Sequence, residues 1–227
     1  MEPVLVVLGS GPGIGVSTAK LFAQKYFSKI ALVSRNAERL DKERTEVVQA
    51  AAESGRTVEV DTFVTDLGDL TQLRQTLSKI EKLGPIGCVF FNAARIRPSE
   101  ILSTSVEEIE EDFRLTNIGL YVVAQWAIPL LRKSQTTSPS LIVTSSALPE
   151  NPIPVLLSLS AVKASQQNIV HSLRTVFGKD VHIGVIKVAG QVGPSEENLN
   201  PANIARQTVA FYERPREQWD TDAVILP

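Results

Sequence analysis

Residues 4–19 read VLVVLGSGPGIGVSTA. Five apolar residues run straight into Gly9-Ser10-Gly11-Pro12-Gly13-Ile14-Gly15, and a helical pattern begins at Ile14. Four glycines in seven residues, set between a strand and a helix, allow a tight turn and let backbone approach a pyrophosphate. The helix start then offers free N–H groups and the positive end of a dipole. Placement gives the pattern its force, since a glycine motif elsewhere in a chain says little. Gly9, Ser10, Gly11, Gly13, Ile14 and Gly15 are the candidate dinucleotide contacts.

Outward from this turn, short apolar runs alternate with longer helical ones. The strand candidates are Val4–Leu8, Ile30–Ser34, Thr57–Val64, Ile86–Phe91, Leu141–Ser145, His182–Val188 and Ala223–Leu226. They lack polar alternation, as strands covered on both faces do. Helices are predicted over Ile14–Tyr26, Ala37–Ser54, Leu70–Leu83, Val106–Arg132 (long enough to bend), Leu156–Phe177 and Ala202–Phe211. Such alternation implies one α/β domain over 1–227, a doubly wound, parallel, seven-stranded sheet with helices on both faces.

The bulk properties agree. A chain of 227 residues, 43% apolar and 21% charged, carries a net charge of −2 with its Lys and Arg scattered. Nothing in it suggests nucleic acid or an acidic membrane as partner. The single cysteine, Cys88, lies in an apolar run and allows no internal disulfide. The N-terminus has no signal-like basic region, so a cytoplasmic protein is expected.

Further positions fall into a known order. Phe91-Asn92-Ala93-Ala94 closes the fourth strand, Asp66-Leu67 follows the third, Asn117 sits in the long helix, and Ser145-Ser146 end the fifth strand. Lys163 lies in the next helix, and Val188-Ala189-Gly190 ends the sixth strand. With the glycine spacing, this series resembles the short-chain dehydrogenase/reductase family over nearly the whole chain. The resemblance implies a Rossmann fold, Ser146, Asn117 and Lys163 as catalytic groups, and cofactor contacts at Asp66, Leu67, Asn92, Ala93, Ala94, Lys163, Gly190 and Val192. The second strand ends Val33-Ser34-Arg35-Asn36 with no acid. A carboxylate there would favour NAD, whereas an arginine beside small polar groups accommodates a 2′-phosphate. NADP(H) is the cofactor expected, with Ser34, Arg35 and Asn36 around that phosphate.

One position departs from the family. Its tyrosine, the proton donor, stands four residues before the lysine, and here Leu159 occupies that place, thirteen residues after Ser146. Leucine has no proton to give, and a positioned acid is worth roughly 10²–10⁴-fold in rate. The tyrosines of the chain are Tyr26, Tyr121 and Tyr212, all distant in sequence. Lys163 acting through a water with Asn117, polarisation by Ser146, or Glu150 in the following loop are the candidate substitutes. Arg95 and Arg97 are candidates for a polar substrate, while His171 and His182 are expected to be structural. The stretch 191–200 is too short for the helical lid that the family places there. Two classes of function therefore stand. One is an NADP(H)-dependent oxidoreductase acting on a small carbonyl or alcohol with a non-standard proton donor. The other is an NADP(H)-binding protein without hydride chemistry: a sensor, a pseudoenzyme, or a non-redox isomerase or cyclase. Apolar residues around the circumference of helices 106–132 and 156–177, among them Leu115, Leu120, Val123, Trp126, Ile169 and Leu173, together with the resemblance, predict a homodimer or homotetramer.

Overall fold

The computed structural model describes residues 2–227. Seven parallel strands form one sheet in the order β3-β2-β1-β4-β5-β6-β7. They are β1 (Val4–Leu8), β2 (Lys29–Ser34), β3 (Glu59–Val64), β4 (Ile86–Phe91), β5 (Ser140–Ser146), β6 (His182–Val188) and β7 (Ala223–Ile225). The helices are α1 (Ile14–Lys25), α2 (Ala37–Glu53), α3 (Leu70–Ile80), α4 (Val106–Phe113), α5 (Gly119–Leu131), α6 (Leu157–Phe177) and α7 (Pro201–Tyr212). Among the described residues no helix is long and apolar enough to cross a membrane.

The central strands β1 and β4 are buried at every residue, because helices cover both faces of the sheet. Helices α1, α2 and α7 seal one face through Phe22, Leu40, Val47 and Phe211. Helices α3, α5 and α6 seal the other through Leu73, Leu77, Val123 and Val170. Continuous apolar runs in the sequence carry this burial directly. Strand β3 differs from the covered strand expected: it is the sheet edge, starts two residues later, and leaves Glu59 and Val64 exposed.

The long helix 106–132 is two helices joined by a π turn, Arg114–Ile118. The Gly119 amide reaches back to the Arg114 carbonyl, and a Cβ on Gly119 would lie 3.0 Å from the Leu67 carbonyl oxygen. The widened turn lets the helix pass close to the loop after β3, and it carries Asn117. Such turns recur at functional sites. The apolar surplus expected on this helix is mostly consumed internally: Leu120 and Val123 are 0% exposed and Leu115 7%. Trp126, Ile169 and Leu173 pack against the same core. The large apolar side chains left in solvent on these helices are Val106, Ile118, Tyr121, Leu157 and Val176.

The strand order reverses between β1 and β4, so the chain leaves the sheet in opposite directions on either side of that seam. A crevice opens there at the carboxyl ends of the strands, where open α/β sheets bind ligands. The glycine turn, Ser34–Asn36, Asp66, Asn92–Ala94, Ser146 and Gly190 all follow the carboxyl ends of their strands at this one edge.

Candidate active site

The glycine turn is shaped by two contacts. Gly9 has φ +86°, and a Cβ on it would lie 2.6 Å from the Ala93 backbone nitrogen. A Cβ on Gly15 would sit 2.9 Å from the Gly9 carbonyl oxygen. Glycine is therefore required at both positions for α1 and β4 to close on the turn. Gly11 and Gly13 meet nothing within 4 Å, so this side of the turn faces open space. No side chain caps α1, which leaves the amides of its first turn without a side-chain acceptor. An open glycine cradle at an uncapped helix start fits a dinucleotide pyrophosphate.

Two side chains among the cofactor candidates brace the turn. The Ser10 hydroxyl donates to the buried carboxylate of Glu43, on α2. Burial holds that carboxyl above its usual range despite the hydrogen bond. Asn92 Nδ2 donates to the Gly9 carbonyl at 3.1 Å. The Gly9 and Ser10 amides both donate to the Val33 carbonyl at 3.0 Å. Only open backbone around Gly11 to Gly15 is left to meet phosphate.

At the adenosine end, Ser34 is buried and Arg35 is exposed. Lys42, on α2, is paired with Glu38, and Lys29, at the opposite end of β2, with Glu59. Among the described residues no carboxylate lies within the 4.0 Å of an ion pair from Arg35. The Asn36 side-chain oxygen accepts from Arg39 N at 2.8 Å and caps α2, which leaves its amide N–H groups for a phosphate. Asp66 Oδ1 accepts from the Gly68 amide at 2.9 Å, leaving its second oxygen free in an exposed turn. The Leu67 side chain is buried in the core, so only its backbone can meet a ligand.

At the other end, the Ser146 oxygen accepts from Leu148 N at 3.2 Å, and the hydroxyl proton has no acceptor. Lys163 rises from α6 and is 6% exposed. Its Nζ donates to the Thr144 carbonyl at 2.8 Å and to Gln166 Oε1 at 2.9 Å. Burial, with no charged neighbour to oppose it, pushes this amine down to about 7. Asn117 Nδ2 donates to the Val162 carbonyl at 3.0 Å and ties the π turn to α6. Asn117 Oδ1, the Thr116, Thr144 and Ser145 hydroxyls and Gln166 Nε2 are buried without a protein partner. Lysine, serine and asparagine thus converge where β5, the π turn and α6 meet.

Leu159 lies one turn before Lys163 and is 6% exposed. It packs with Leu148 and Val162, backed by Ala94, Phe113 and Leu156. These side chains form a small apolar cluster apart from the two main cores.

The remaining candidates are committed to the scaffold. Glu150 pairs with Lys187 at 2.6 Å and accepts from Gln167 at 3.0 Å, which hold its carboxyl below the usual range. It fastens the loop after β5 to β6 and α6. Arg95 pairs with Glu111 and with Asp112, and Arg97 with Glu108. Both arginines clamp the loop after β4 to α4, and Arg97 Nη2 is left without a protein partner. His171 shares Asp222 with Arg174, at 2.8 and 2.7 Å. His182 stacks between Phe211 and Trp219, and its burial holds it down to about 3. Cys88 is fully buried, and burial alone raises its thiol. Residues 191–200 form no helix. Asn200 bonds the Glu196 and Glu197 carbonyls and caps α7, while Val192 stays exposed beside Gly190.

Thr144, Gln166 and Glu43 went unnoticed in the sequence. Gln166 carried a usable signal: it stands three residues after Lys163, on the same helix face. Glu43 lies three after Leu40 and four before Val47, so helical spacing places it on the buried face of α2.

Comparisons with known proteins come to the same frame. The chain is 28% identical over 157 residues to a short chain dehydrogenase of Aspergillus terreus, covering 63% of this chain and 48% of that protein. It therefore spans about half the length of that curated relative. Among solved structures, an alcohol dehydrogenase from Thermococcus sibiricus complexed with 5-hydroxy-NADP superposes with TM-score 0.82 at 22% identity, over 98% of this chain and 95% of that one. An NADPH-bound short chain oxidoreductase from Pseudomonas aeruginosa containing an atypical catalytic center gives the same score, identity and coverage. At that identity the likeness is one of fold. The family model for short chain dehydrogenases matches residues 3–200, and the chain belongs to that family.

Proposed function

We propose that this protein is an NADP(H)-dependent oxidoreductase acting on a small carbonyl or alcohol, with Lys163 rather than a tyrosine handling the proton. The observation that carries the reading is the buried amine of Lys163, held by two acceptors beside Ser146 and Asn117. The bound nicotinamide supplies or takes the hydride. Ser146, with its free hydroxyl proton, donates to the substrate oxygen and polarises the carbonyl. Lys163, an ammonium that loses its proton near neutrality, is matched in pKa to proton transfer at physiological pH. Asn117 fixes the π turn against α6, so that these groups keep one geometry.

NADP(H) rather than NAD(H) is supported by the free, exposed guanidinium of Arg35 next to Ser34. The two structural neighbours that carry NADP-type cofactors point the same way. Arg35→Ala should weaken NADPH binding in calorimetry by ten- to a hundredfold, the loss of about 1.5–3 kcal/mol of charge-assisted hydrogen bonding. NADH binding should change little. Equal losses for both would refute the assignment.

The packing of Leu159 favours a second reading, in which the dinucleotide binds without hydride chemistry. Both readings share the cofactor and differ in whether deuterium passes from labelled NADPH to an alcohol. We also infer self-association through α4, α5 and α6, supported by the exposed Ile118, Tyr121 and Val176. A dimer or tetramer is expected by light scattering at micromolar concentration, and a monomer would end that inference.

A further inference from the structure

We propose that Gln166 is a positioning residue for proton transfer: with the Thr144 carbonyl it holds two N–H groups of Lys163 and so directs the third, whose proton is transferred. The inference rests on the reading of Lys163 as the proton donor. Gln166 is 0% exposed, and in a core position of that kind an amide is costly unless it is engaged. Its Oε1 accepts from Lys163 Nζ at 2.9 Å, while its Nε2 is buried with no acceptor. An ammonium has three N–H donors, and the Thr144 carbonyl and Gln166 Oε1 take two of them. The third is the one that leaves: its N–H bond breaks, the nitrogen keeps the electron pair, and the proton forms the O–H bond of the product alcohol. The two remaining N–H groups keep their acceptors in the neutral amine, so the nitrogen holds its place as the proton departs. Leucine at 166 would set one of them free.

The surroundings leave the second of these acceptors to Gln166. From β5, Lys163 meets the Thr144 carbonyl, the first. The π turn offers Asn117, whose N–H is spent on Val162, together with the Thr116 hydroxyl and Arg114. On α4, Asp112 is engaged by Arg95 and by the Ser158 hydroxyl. On β6, Lys187 is paired with Glu150. Helix α6 itself adds His171, bound to Asp222. Burial is what depresses the Lys163 amine.

The test is a titration of Lys163 by carbon NMR on protein labelled at lysine Cε, the resonance being assigned by its loss in Lys163→Arg. Wild type should titrate near pH 7. Gln166→Glu, nearly isosteric, adds a carboxylate against the ammonium and should raise the midpoint by about one to three pH units. Gln166→Leu removes the acceptor and should lower it. In steady-state assays the pH profile of kcat should move in the same directions, with KM for NADPH little changed. Midpoints within about 0.3 of wild type in both variants would overturn the proposal. The NMR titration needs no substrate, so it remains decisive for Gln166 even where the oxidoreductase reading fails. If one variant does not fold, the other still decides.

Discussion

Lys163→Met is expected to abolish carbonyl reduction while reversing sign in its effect on stability across the pH range. Loss of the proton donor should lower kcat by roughly 10²–10⁴-fold. For stability, the folded amine titrates near 7 against the 10.5 of an unfolded lysine. Its folded pKa is depressed, so below pH 7 the fold carries a buried charge at a cost on the order of 4 kcal/mol. That cost disappears as pH rises from about 7 to 10.5, because there the unfolded chain binds the extra proton. Methionine removes the cost, but it also removes a donor from the Thr144 carbonyl and from Gln166, at about 1–3 kcal/mol. At pH 6 the variant should therefore match or exceed wild type. At pH 10 it should be less stable by about 1–3 kcal/mol. Denaturant melts at the two pH values check this. A stability difference independent of pH would mean that the amine is not buried as described.

Leu159→Tyr carries the second large effect. Residues four apart share a helix face, so a phenol at 159 would stand one turn before Lys163. The lysine's positive charge would favour the phenolate and lower the tyrosine pKa. Reduction of generic small ketones or aldehydes should appear or rise by about 10²–10⁴-fold. The ring must displace the packing of Leu159 on Leu148 and Val162. Overfilling a packed site costs about 1–3 kcal/mol, so the melting temperature should fall as activity rises. Kinetics at the nicotinamide absorbance, run alongside thermal melts, measure both. A stability loss with no gain on any carbonyl would indicate that a phenol at this place is not what the site lacks.

The sheet was legible because burial on both faces writes itself as apolar runs, and Val4–Leu8 and Ile86–Phe91 begin and end where the structure has them. Edge strand β3 was less so, since its exposure comes from its place at the edge of the sheet. The break in the helix 106–132 left no local mark. A π turn is set by the approach of Gly119 to the Leu67 carbonyl, a tertiary contact. At the site, residue types were readable and their commitments were not. Ser10 and Asn92 look like ligand donors in sequence, yet each donates to a carboxylate or backbone partner brought in by the fold. Glu150, Arg95 and Arg97 were absorbed in the same way by ion pairs. Gln166 escaped notice for the opposite reason: its partner Lys163 is local, but its burial is not.

The central claim is that this chain transfers hydride although leucine stands where its family resemblance places a tyrosine. The most direct measurement is deuterium transfer from NADPH labelled at C4, with a panel of aldehydes and ketones as acceptors and mass spectrometry of the alcohols formed. Deuterium at the carbinol carbon with wild-type protein, lost in Lys163→Met, is the result predicted. NADPH bound tightly, with no deuterium in any alcohol from wild type or from Leu159→Tyr, would contradict it.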